Sequence, residues 1–318
     1  MRIGVVGAGA IGGWIAAKLA GGGHRVSVLA RGATLAALRA HGLSLTEADQ
    51  VHVHAVPASA DAADLGVQDV VILAVKGFAM PDAAAAAGGM IGRETLILPM
   101  LNGVPWWFIG EGSRIAAVDP AGRTARALPI AQVLGCVVHA ATHVTTPGAI
   151  SVRFADRLIL GEPGGGTSER ATLLASTISA AGVRCNASDD VRSDIWYKLW
   201  GNMTINPLSA LTLATADRIL DEPLTRQVVT RVMEEARALG ALIGCPIAET
   251  PEDRHAVTRT LGAFRTSMLQ DVDAGRTIEL EALLGAPREL AQAVGLATPW
   301  MDALYAITRL MAQSRGLM

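Results

Sequence analysis

The chain has 318 residues, 51% of them hydrophobic and 18% charged, with Lys+Arg 27 set against Asp+Glu 29 for a net charge of −2. That length accommodates two domains of ordinary size. So small a net charge gives no broad field for nucleic acid or an anionic membrane, and no apolar run reaches the ~20 residues that span a bilayer. Cys136, Cys185 and Cys245 lack CxxC spacing and suggest neither a disulfide framework nor a metal site, which suits a reducing cytoplasm. No targeting-peptide pattern precedes the first strand.

Residues 2–6 (RIGVV) predict a buried strand, and residues 7–12 read GAGAIG. An apolar helical period over 11–19 then stops at Gly21, Gly22 and Gly23, and 25–29 (RVSVL) alternate as a second strand. A GxGxxG inside a strand–helix–strand unit is the arrangement that holds a dinucleotide. Gly7 permits the tight turn, Gly9 lets the backbone approach a pyrophosphate, and Gly12 lets the helix pack on the strand. Ala8, Ala10 and Ile11 complete the loop, and the first helical N–H groups face the phosphates. Where an NAD site carries an acid for the ribose hydroxyls, this chain has Ala30 and Arg31. The arginine points to the 2′-phosphate of NADP(H), the alternative being a solvated strand-end side chain.

Residues 51–56 (VHVHAV) predict a strand with His52 and His54 opposite the valines and no third metal ligand nearby. Two further strands, 69–75 (DVVILAV) and 95–101 (TLILPML), deliver Lys76 and Asn102 to their carboxyl ends, where ligands of open parallel sheets sit. Both are candidates for phosphate or nicotinamide-ribose contacts. The Ala-rich stretch 82–87 predicts a short helix. Trp106, Trp107 and Phe108 either wall a pocket or pack the domain. Residues 135–143 and 149–160 read as later strands of the same sheet, with His139 and His143 lacking a carboxylate or cysteine to complete a metal set. A turn over 161–168, a helix over 169–181 and a strand near 183–186 follow.

From residue 189 helical periods replace strands, over 191–206, 223–243, 251–273, 278–294 and 299–313. The expected fold is α/β: an N-terminal Rossmann-type dinucleotide-binding domain over 1–188, then an all-α domain over 189–318, with substrate held in the cleft between them.

Within 196–211 (WYKLWGNMTINPLSAL), Lys198, Asn202 and Asn206 fall four apart and line one helical face, while Leu199, Trp200 and Met203 can face the core. A cationic proton donor beside two amides suits a small molecule with keto and carboxylate oxygens. The other reading is a solvated lysine, with Asn206 capping a new helix that starts at Pro207. Residues 265–281 are polar for helices that build a core. Ser267 and Asp271 share a face there, and Glu279 follows a break at Gly275. Ser267 then donates to a substrate carboxylate and Glu279 accepts from a hydroxyl or orients Lys198, unless both simply face solvent.

Together these stretches resemble the ketopantoate reductase (2-dehydropantoate 2-reductase) family: GAGAIGG at the start, Arg31, VKG at Lys76, NG at Asn102, KLWGNMTINPLSAL at Lys198, and SMLQD with the later Glu279. The resemblance implies NADPH-dependent reduction of ketopantoate, a small 2-keto acid, to pantoate in pantothenate and coenzyme A biosynthesis. It implies Lys198 as general acid with Glu279 in the catalytic set, and Asn102, Asn202, Asn206 and Ser267 as substrate contacts. Residues 7–12, Arg31, Lys76, Asn102, Ala141 and Glu279 fall on the cofactor side. The chain departs from the family pattern in a longer connection over 104–134 and in Ala216 and Phe264, where some members place asparagine. Reduction of a different 2-keto acid is therefore an alternative, and a non-catalytic NADP-binding redox sensor is one of another class. The helical half offers a surface for a homodimer, though nothing in the sequence requires one.

Overall fold

A computed structural model describes all 318 residues, which fold as two units. The first comprises residues 1–101, 106–113 and 121–192; the second comprises 102–105, 114–120 and 193–318.

The first unit opens with β1 (Arg2–Val6), α1 (Ala10–Gly21), β2 (Arg25–Leu29) and α2 (Gly32–His41). It continues with β3 (Leu43–Glu47), β4 (Gln50–His54), β5 (Ala58–Ser59), β6 (Val70–Leu73), α3 (Met80–Ala86), β7 (Leu96–Pro99) and α4 (Arg123–Ala127). β8 (Gly135–Thr146), β9 (Ala149–Gly161), α5 (Glu169–Ala180) and β10 (Cys185–Ser188) complete it. One sheet is all parallel, in the order β5-β2-β1-β6-β7. β6 and β7 read as apolar runs because both faces are covered.

The late strands do not extend that sheet. They form a second one, ordered β10-β9-β3-β4, with β8 antiparallel to β9. α1 explains why: Gly12, Gly13, Trp14, Ile15, Ala16, Ala17 and Leu19 are all buried, so the helix is apolar on more than one side. It packs on β1 and β2 and also on β3, β8 and β9, and one core joins Ile3, Val28 and Ile72 to Leu45, Ile150 and Leu158 through Trp14 and Ile15. β4 is an outer strand, and its valines are open to solvent along with His52, Val51 at 61% and Val53 at 60%. Trp106, Trp107 and Phe108 are buried, and Trp107 lies so close to Gly135 that a Cβ there would stand 2.8 Å from its ring. The aromatic cluster packs the unit.

Ser168 caps α5, accepting from the Ala171 amide at 3.1 Å while donating to Glu162 at 2.6 Å. Ser168→Ala should cost about 1 kcal/mol locally. Hydrogen exchange of the first-turn amides of α5 should accelerate several-fold; unchanged protection there would show the cap to be idle.

The second unit is helical: α6 (Val191–Thr212, entering at Ser193), α7 (Ala216–Asp221), α8 (Pro223–Leu242), α9 (Pro251–Arg259), α10 (Ser267–Asp273), a π-helical turn (Glu281–Gly285), α11 (Ala286–Ala293) and α12 (Pro299–Ser314). Trp196 and Trp200 of α6 are buried with their indole N–H groups donating to the Ala236 and Met233 carbonyls of α8, at 3.2 and 2.8 Å. That satisfies the one polar atom of each large apolar side chain. Three sequence expectations change. α6 runs through Pro207 to Thr212, the 251–273 period breaks into α9 and α10 around Gly262 at φ +62°, and the 278–294 stretch contains a π-helical turn. No helix is long and apolar enough to cross a membrane.

Candidate active site

The first unit presents the glycine turn at the carboxyl end of β1. Gly7 has φ +89°, and a Cβ there would meet the Ala74 carbonyl at 2.8 Å. Gly9 caps α1 with no side-chain hydrogen bond and with open space where its Cβ would stand. At Gly12 a Cβ would lie 1.9 Å from the Gly7 carbonyl oxygen, so helix and turn pack as tightly as backbone permits. Ala8 is buried, Ala10 and Ile11 open the helix, and no acid stands in its first turn. Uncapped amides beside an open approach fit a pyrophosphate.

Arg31 follows the carboxyl end of β2, exposed, at the N-cap of α2. Lys76 follows β6, half-buried, before Gly77. Because β2, β1 and β6 are adjacent, the sheet brings Arg31, the glycine turn and Lys76 to one edge. Ala141 is half-buried on β8 of the second sheet, paired with Phe154, and β8 packs on α1.

In the second unit Lys198 Nζ donates to Asn102 Oδ1 at 2.9 Å. Asn102 was expected with the strand end of β7, yet it belongs to the helical unit, where its loop is pinned to the π-helical turn. The Val104 amide donates to the Ala282 carbonyl at 2.9 Å, and a Cβ on Gly103, at φ +77°, would lie 2.2 Å from the same oxygen. Asn202 is half-buried and Asn206 is 6% exposed, one and two turns beyond Lys198 on the same helix. Since α6 is unbroken, Asn206 is not an N-cap.

Ser267 is exposed as the first residue of α10, which is capped by Thr266 accepting from the Leu269 amide. Asp271, on the same face, is buried and held by Arg276 at 3.0 Å. Glu279 is 9% exposed, between buried Ile278 and Leu280. Ala216 and Phe264 meet directly, the Ala216 amide donating to the Phe264 carbonyl at 3.0 Å, so the two departures from the family pattern occupy one place. No group of three or more His, Cys, Asp or Glu is placed to hold a metal ion.

Family models match both parts of the chain: "Ketopantoate reductase PanE/ApbA" over residues 3–165 and its C-terminal counterpart over 190–312. The chain belongs to the ketopantoate reductase family. This reductase is 42% identical over 323 residues to a 2-dehydropantoate 2-reductase of Mesorhizobium japonicum, covering 99% of each chain. Among solved structures it is similar to one from Ralstonia solanacearum assigned as a ketopantoate reductase, with 50% identity, TM-score 0.97 and coverage of 100% and 99%. It also resembles the 2-dehydropantoate 2-reductase of Methylococcus capsulatus, with 28% identity, TM-score 0.86 and coverage of 99% and 98%. The chain is thus an oxidoreductase acting on CH–OH groups, with the dinucleotide-binding fold of enzymes that use a nicotinamide cofactor.

Proposed function

We propose that the reductase converts ketopantoate to pantoate with NADPH, in the cytoplasm, using Lys198 as proton donor. The observation that carries the proposal is the Lys198–Asn102 hydrogen bond. A neutral amide oxygen aims the ammonium without the ion pairing by which a carboxylate would make it hold its proton more tightly. Bound NADPH supplies the hydride that adds to the keto carbon. Lys198 gives one proton to the oxygen left negative by that addition, becomes an amine, and recovers a proton from solvent. Asn202 and Asn206 orient substrate oxygens without quenching the charge on Lys198. Ser267 donates to the carboxylate, and Glu279 fixes the hydroxyl or Lys198.

Residues 1–188 hold the cofactor in this reading, and 189–318 together with the Asn102 loop hold the substrate. Support for NADPH over NADH is Arg31 standing where an acid would serve NADH. Support for the cytoplasm is three buried free cysteines, with the Cys185 thiol pushed up to about 12 by burial.

The Ala216–Phe264 contact favours a second reading, a 2-keto acid with a less polar tail. Steady-state NADPH oxidation with a panel of 2-keto acids tests both. Ketopantoate should give the highest kcat/KM; a more apolar acid outperforming it would change the substrate and leave the reaction, whereas no oxidation with any acid would reduce the chain to a nucleotide-holding protein.

A further inference from the structure

A proline inside an unbroken helical stretch leaves one carbonyl of the second unit without a donor from its own helix. The π-helical turn Glu281–Gly285 runs straight into α11, so the chain is helical from Glu281 to Ala293. Within it the Ala286 amide donates to the Glu281 carbonyl, five residues back instead of four, and so is lost to the Ala282 carbonyl that an α-helix would give it. The donor that five-residue spacing would offer Ala282 instead belongs to Pro287, which has no N–H. Ala282 is buried, and a buried carbonyl needs a partner from somewhere. It finds one outside the helix, accepting from the Val104 amide at 2.9 Å.

That bond anchors the loop that carries Asn102. Val104 is buried, and Gly103, at φ +77°, lies so flat on the turn that a Cβ there would collide with the Ala282 carbonyl. Asn102 stands two residues before the anchor, and its Oδ1 accepts from Lys198 Nζ at 2.9 Å. Contacts therefore run from the turn to the ammonium without leaving the helical unit. The turn is held in its turn by α12, where the Tyr305 hydroxyl donates to Glu281 Oε1 at 2.9 Å.

We propose that Pro287 is a positioning residue for the reduction: it reserves the Ala282 oxygen for the Val104 amide, and the loop so anchored aims Asn102 at Lys198. This rests on the assignment of Lys198 as proton donor. An alanine at 287 supplies the missing N–H. Whether the turn keeps its five-residue spacing or relaxes to four, Ala282 then has a donor within its own helix, and the loop has a competitor for its anchor.

The test is Pro287→Ala in the full chain, with NADPH and ketopantoate. The variant should fold, since alanine is the better helix former. Its kcat should fall about tenfold, within the loss that a misplacement of about 1 Å can cause, while the Kd for NADPH stays within about twofold of wild type. Hydrogen exchange of the Val104 amide should accelerate about tenfold as its partner is taken. Because Pro287 acts through Asn102, Pro287→Ala should lower kcat by no more than about twofold in an Asn102→Ala background, whereas a residue that only supports the fold would add its loss in full. An unmoved kcat, an unmoved Val104 exchange rate, or a larger loss beside Asn102→Ala would overturn the role of Pro287. Lys198→Ala, assayed alongside, separates that failure from failure of the assignment beneath it: collapsed turnover keeps Lys198 in place, and near-normal turnover overturns both.

Discussion

Lys198→Ala is expected to lower kcat by about 10²–10⁴-fold, the range over which a positioned proton donor acts, while leaving NADPH affinity within a few-fold of wild type. The two readouts separate because the residues come from different parts of the fold. Lys198 and its partner Asn102 belong to the helical unit, whereas the glycine turn and Arg31 belong to the sheet unit. Fluorescence titration of NADPH and single-turnover reduction of ketopantoate measure them independently. Near-normal turnover in the variant would remove the assignment, and a parallel collapse of NADPH binding would recast Lys198 as a cofactor residue. Asn102→Asp sharpens the test: a carboxylate 2.9 Å from the ammonium holds its proton more tightly, so kcat should fall although the hydrogen bond is strengthened. A rise would mean that proton delivery is not what Lys198 contributes.

What the sequence revealed follows from how local each signal is. The parallel sheet was legible because β1 and β6 are covered on both faces and read as largely apolar runs, because β2 alternates, and because the glycines of the first turn sit at fixed spacing. The second sheet was not, since β3 lies between α2 and β4 in sequence yet pairs in parallel with β9 through Leu45 and Ile150, which no local pattern encodes. The same limit hid the placement of Asn102. Its strand position suggested a cofactor contact and the family pattern a substrate contact as well, while its hydrogen-bond partner Lys198 lies 96 residues on. Some signals were present and unread. Gly262, at φ +62°, is the kind of glycine that ends a helix, and it sits where the 251–273 period breaks. Gly201, inside an otherwise strong helical run, marked a close approach whose other half, Arg254, only the packing reveals. Pro207 misled in the opposite direction: a proline after asparagine usually opens a helix, but α6 continues through it to Thr212.

Arg31→Ala is expected to raise KM for NADPH by about 10–100-fold and to leave KM for NADH within about twofold. Hydrogen bonds from a guanidinium to an ionised phosphate contribute roughly 1.5–3 kcal/mol, and every 1.4 kcal/mol is about tenfold in affinity. The lower end applies if solvent screens the contact, since Arg31 is exposed. Arg31 also sits at the N-cap of α2, which has no side-chain cap, so first-turn amides remain to meet a phosphate after the guanidinium is gone. The variant should therefore keep some preference for NADPH, whereas Arg31→Glu, which sets a carboxylate against the phosphate, should invert it. Ionic strength provides an independent check. Raising salt should erode the wild-type preference for NADPH and barely move that of Arg31→Ala, because the screened charge is the one removed. Equal changes toward both cofactors would place the 2′-phosphate away from Arg31 and leave the end of β2 with no part in choosing between them.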